Sequence, residues 1–266
     1  MELVQVLIVA FGGSVAALAV TAFLGKALIS QLLAREMEGL RSRLKVEGDT
    51  LVESLKARLQ QDARLDDRQF ALAQVMRRYQ GPLLHAVYDL QSRLYNILVN
   101  RFFDVYLVGG SPTQKQYAAY NTSFLIAQFF GWIEIIRQEV QFIEFAEDDK
   151  TRRFSDIRDE IYGLWQTDRF GDPLMIWAGE QRGIGELMIE IRGDQLTCKG
   201  YATFLKSFGA AQEQLVDRLT QAVLASATKQ GVLHDRLLAV QHKLIEMLEV
   251  LDPDGLRFRA VWRTKA

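Results

Sequence analysis

Residues 3–25, LVQVLIVAFGGSVAALAVTAFLG, contain no charged side chain, and this run constrains the chain more than any other feature. As a helix, its twenty-three residues would extend roughly 34 Å, enough to cross a hydrocarbon core of about 30 Å. A secretory signal needs a basic leader and a shorter apolar stretch, but only Glu2 is charged before this run. The expectation is a retained transmembrane anchor at residues 1–25, with cleavage after its small residues as the alternative. Lys26, Arg35, Arg41, Arg43 and Lys45 follow the run, and the positive-inside rule then places the N-terminus outside and the remainder in the cytoplasm. Gly13, Ala17, Thr21 and Gly25 recur every four residues within it, a spacing that lets two membrane helices approach closely. Alanine-rich spans also give such a pattern by chance.

Residues 26–78 read as an amphipathic helical connector, a possible coiled coil. Apolar residues recur at Leu33, Met37, Leu40, Leu44, Leu51, Leu55 and Leu59. Leu33, Leu44 and Leu55 are eleven apart, a period that favours a nearly straight or slightly right-handed bundle over a heptad coil. Gly48, with Thr50 and Glu53 at capping-box spacing, predicts a break and restart. Two roles fit the connector: a self-associating stalk, or an amphipathic helix lying on the domain that follows.

Residues 79–252 carry the pattern of a helical bundle, and 253–266 that of a basic and aromatic tail. A new helix is expected after Pro82, with Leu84, Val87, Leu94 and Leu98 on one face. Thr113 and Gln116 predict a cap for the next helix, about 114–145. Residues 116–133 of that helix lack charge, so it is either the central bundle helix or a second membrane segment. Glu134 and Arg137 can pair on it. Further helices are expected at about 150–165, 200–208, 210–229 and 232–251, the last with Leu233, Leu237, Val240, Leu244, Leu248 and Leu251 in register. Only LRFRAVW at 256–262 alternates like a strand. The expected fold class is all-α.

The stretch DPLMIWAGEQRGIGELMIEI, residues 172–191, concentrates glycine beside charge. Asp172 and Pro173 resemble a helix start, and Leu174, Trp177, Gln181, Ile184, Met188 and Ile191 step by three or four, so a close-packed helix is expected. Gly179 and Gly183 would form a groove for a neighbouring helix. Glu180, Arg182 and Glu186 are the candidate polar site.

Catalytic, cofactor-binding and metal-ligating motifs are absent from the sequence. His85, His234 and His242 have no ligand spacing, no P-loop or GxSxG occurs, and Cys198 is the lone cysteine. A net charge of −1 gives no basis for nucleic-acid binding. The expected function is that of a single-pass, membrane-anchored cytoplasmic protein that self-associates and serves as an interaction or scaffold module for a protein partner. The alternatives are a membrane-tethered enzyme with a site inside the bundle, or an oligomer that perturbs or gates the membrane.

Overall fold

The computed structural model describes residues 2–140, 149–206, 214–227 and 230–266; side chains at 2–22, 68, 69, 72, 76, 140 and 230–233 lie outside the described set. In chain order the elements are α1 (Glu2–Leu98), a π-helix (Phe103–Val108), α2 (Pro112–Val140), α3 (Asp149–Gln166), a 3-10 turn (Asp168–Phe170) and α4 (Ala178–Leu187). A hairpin of β1 (Ile189–Arg192) and β2 (Gln195–Cys198) follows, then α5 (Tyr201–Leu205), α6 (Gln214–Ser226), α7 (Gln230–Leu251) and a 3-10 turn (Ala260–Trp262). The fold is all-α, with one small antiparallel hairpin among the described residues. Two units divide the chain, Met1–Arg64 and Leu65–Ala266, and each is described by itself.

The first unit is helical throughout its described length. The break expected at Gly48 does not occur. One glycine costs about 1 kcal/mol in a helix interior, and Thr50 donates its hydroxyl to Val46 O at 2.7 Å instead of capping a new start. Among the described residues no helix is long and apolar enough to cross a membrane. The apolar run itself falls on side chains outside the described set as far as Ala22.

In the second unit, α1 passes through Pro82 without ending, so the helix start expected there is also absent. Proline inside a helix costs about 3 kcal/mol, but Tyr79, Leu83, Leu84 and Val87 beside it are all buried. Burial of such side chains contributes roughly 1.5–3 kcal/mol each, which outweighs the proline. α2 starts earlier than expected: Ser111 caps it, with Ser111 N donating to Gln114 Oε1 at 2.8 Å and Gln114 N to Ser111 Oγ at 3.4 Å. Pro112 holds the first helical position, where its missing N–H is harmless. α2 is the central helix: Ile126, Ala127, Phe129, Phe130 and Ile135 are fully covered, and α4, α5, α6, β2 and the π-helix all pack on it. Leu237, Val240, Leu244, Leu248 and Leu251 bury the expected face of α7, which packs on α3.

Helix α4 does not begin at Asp172. Residues 171–177 form a turned connection in which Gly171 has φ +70° and Leu174 has φ +51°, and a left-handed leucine cannot continue a helix. Arg236 from α7 holds this connection. Fully buried, it donates to Pro173 O (3.1 Å), Leu164 O (2.6 Å), Trp165 O (2.9 Å), Thr167 O (2.8 Å) and Gly171 O (2.7 Å). These use all of its N–H groups on backbone acceptors. Beyond α4 the expected helix ends at Leu187, and Ile191 turns out to be an exposed strand residue. Gly193, at φ +65°, makes with Asp194 the two-residue turn between Arg192 and its partner Gln195.

The C-terminal segment is neither a strand nor a loose tail. Asp252 accepts from the backbone N–H of Leu256 (2.9 Å), Arg257 (3.2 Å) and Phe258 (3.1 Å), and from Arg263 Nη2 at 2.7 Å. Phe258 is buried and stacks on Tyr88 with ring centres 4.0 Å apart. Burial acts to raise the Asp252 carboxyl, but the three N–H donors and Arg263 outweigh it and hold it below its ordinary range.

Candidate functional site

The residues expected to mediate self-association fall into two groups. Gly13, Ala17 and Thr21 lie outside the described side chains. Gly25 is described, and a Cβ placed on it would meet nothing within 4 Å. Leu33, Met37, Leu40, Leu44, Leu51, Leu55 and Leu59 are each between 52% and 62% exposed. All seven lie on one stripe of α1.

The glycine-rich stretch brings α4 against α2 as a close-packed pair, though the glycine responsible is Gly185. A Cβ there would lie 2.8 Å from Phe130 O and 2.9 Å from Glu134 Cβ. Gly183 faces Leu215 of α6, while Gly179 faces open space, so the expected Gly179–Gly183 groove is not the seam.

Polar groups collect at this α2–α4 seam. Glu134 is 2% exposed and takes a two-pronged bond from Arg137, Nε to Oε2 at 2.8 Å and Nη2 to Oε1 at 2.6 Å. Gln138 Nε2 adds a third bond at 3.1 Å. Burial pushes the Glu134 carboxyl up, but Arg137, Gln138 and the nearby charge of Arg182 pull it further down. Glu186 in turn supports the charge of Arg137. Burial, with the Glu134 charge adding to it, raises the Tyr162 phenol well above its ordinary range.

Of the three predicted site residues, then, Arg182 and Glu186 belong to the field around Glu134 and Arg137. Glu180 does separate work: its Oε2 accepts from Trp177 N at 3.1 Å, fixing the start of α4, and its carboxylate pairs with Arg218 of α6. Chemically the centre of the seam is the hydrogen-bonded cluster of Glu134, Arg137 and Gln138. A carboxylate held ionised by three donors is a poor general acid and a poor base.

Cys198, His85 and His242 are each engaged by neighbouring groups. Burial pushes the Cys198 thiol up to about 12, well away from nucleophile behaviour. His85 packs edge-on to Phe258 with ring centres 5.1 Å apart, and His242 Nε2 lies 3.3 Å from Ala266 O. Among the described residues no group of three or more His, Cys, Asp or Glu is placed to hold a metal ion.

Arg236 and Asp252 are the organising polar residues that the sequence did not reveal. Their partners are mostly backbone groups, which carry no residue signature. Comparison with protein-family models, curated proteins and solved structures finds no match for this chain.

Proposed function

We propose that this protein is a membrane-anchored, self-associating helical module that presents its Leu65–Ala266 unit to a protein partner in the cytoplasm. Residues 3–25 serve as the anchor, oriented by the basic residues from Lys26 to Lys45, with the N-terminus outside. The observation that carries the reading is the α1 stripe from Leu33 to Leu59, whose seven apolar side chains are all more than half exposed. Covering them in a parallel association of two or more copies offers several kcal/mol, on the order of 1 kcal/mol per half-exposed leucine. Tethering in a bilayer raises the effective concentration of one copy around another, so a modest seam suffices. The pairing of Glu134 with Arg137 and Gln138 supports an interaction module over a tethered enzyme.

The test uses the full chain. It is expected to stay with membranes through alkaline carbonate extraction and, in detergent micelles, to show a protein mass that rises with concentration above one copy. Release by carbonate would contradict the anchor. A mass fixed at one copy over a hundredfold concentration range would contradict self-association.

A further inference from the structure

Where α1 ends, the chain takes an irregular path, and a cavity of about 760 Å³ lies beside it. Arg101 has φ +55°, a left-handed backbone that residues with a side chain seldom adopt. The chain then winds into the π-helix Phe103–Val108, a rare form that concentrates at functional sites. Gly110 completes the turn, since a Cβ there would collide with the Tyr106 carbonyl. Strain of this kind persists only where the surrounding structure enforces it.

Three chemistries line the cavity. Arg93 supplies a cation: its guanidinium carbon sits 4.0 Å from the Phe102 ring centre, and its Nη2 donates to Asn121 Oδ1 at 2.6 Å. Nη1 makes no close hydrogen bond within the protein, and Tyr117 lies near enough to support the guanidinium charge. Asn96 and Asn100 supply amides, already joined by Asn100 Nδ2 to Asn96 Oδ1 at 2.7 Å. Phe102, Tyr106 and Tyr117 supply aromatic surface. Among the described residues no carboxylate lines the cavity, so its one charge is positive. Thr113 and Gln114 bring the first turn of α2 to the same wall, and its partial positive charge has the same sign.

We propose that this cavity binds a small organic anion, with its carboxylate or phosphate paired to Arg93 and its flat body against Phe102, Tyr106 and Tyr117. The volume falls in the range of small-molecule sites, roughly 300–1,000 Å³. Ligand binding here gives the Leu65–Ala266 unit a chemical input, and it does not depend on self-association of α1.

The full chain in detergent micelles is titrated with benzoate, phenyl phosphate and uncharged benzamide, read by saturation-transfer NMR. At least one anion is expected to saturate below about 10 mM, with benzamide at least tenfold weaker. The anion that saturates first identifies the acid group. Asn96→Asp keeps the acceptor for Asn100 and adds a negative charge to the lining, so it is expected to weaken the anion about tenfold or more with an unchanged melting midpoint. Arg93→Met is expected to abolish binding, but it also removes the Asn121 bond, so the Asn96 variant and the benzamide comparison carry the test. Failure of both anions to saturate, equal binding of benzamide, or indifference to Asn96→Asp would each overturn the proposal.

Discussion

Leu44 and Leu244 both lie in long helices, yet Leu44 exposes 60% of its surface and Leu244 none. The first belongs to the Met1–Arg64 unit, where the α1 stripe faces solvent along its described length. The second belongs to the Leu65–Ala266 unit, where α2 and α7 are covered on their apolar faces and even an arginine is sealed from water. An apolar stripe adds stability to a helix only through the surface that covers it. The second unit supplies that surface from its own sequence. The first has the stripe without such cover inside its own unit.

The largest effect that would sharpen this contrast comes from Arg236. Removing it by Arg236→Met strips donors from five backbone carbonyls at once and is expected to destabilise the second unit by about 3–5 kcal/mol. Arg236→Lys should rescue little, because an ammonium has about three donors and no planar fork. All four tryptophans, Trp132, Trp165, Trp177 and Trp262, lie beyond Arg64, so denaturation followed by tryptophan fluorescence reads that unit alone. Helicity that persists after the tryptophan transition would belong to the first unit. A fluorescence midpoint unchanged by Arg236→Met would show that the buried guanidinium is not what holds residues 164–173.

A smaller effect is expected at Asp252. Asp252→Asn removes the charge that three backbone N–H groups and Arg263 converge on, at about 1.5–3 kcal/mol near neutral pH. The folded state holds this carboxyl below its ordinary value of 3.8. Its stabilisation is therefore full above that value and is lost as pH falls through the lower folded value. The gap between parent and variant should thus narrow on acidification below about pH 4. A gap that stays constant down to pH 2 would remove Asp252 as the anchor of the C-terminal segment.

What the sequence disclosed and what it concealed follow the same physical division. Elements set by side-chain pattern were legible: the buried face of α7 and the Glu134–Arg137 pair follow from spacing, and the uncharged stretch of α2 narrowed it to a bundle core or a membrane segment. Elements set by backbone partners were not. The three-to-four stepping of Ile184, Met188 and Ile191 masked the end of α4, although Gly193–Asp194 between two short β-prone runs is a hairpin signal. Asp172–Pro173 imitates a helix start, and only the buried Arg236 on a distant helix explains why the chain turns there instead. Gly48 and Pro82 are breakers by propensity, yet each costs no more than a few kcal/mol and α1 continues through both. Of the candidate polar residues, Arg182 and Glu186 lie within the field of Glu134 and Arg137, which come from α2, more than forty residues earlier.

The central claim is that the exposed α1 stripe meets its copy in another chain, and disulfide trapping in native membranes tests it most directly. Leu44→Cys places a thiol on the stripe, whereas Ser42→Cys places one about 200° round the same helix. A disulfide forms only where two Cα atoms come within about 7 Å, and the native Cys198 is buried. Mild oxidation is expected to give a crosslinked dimer from Leu44→Cys and little from Ser42→Cys. Equal crosslinking at both positions, or none at either, would contradict association through the stripe.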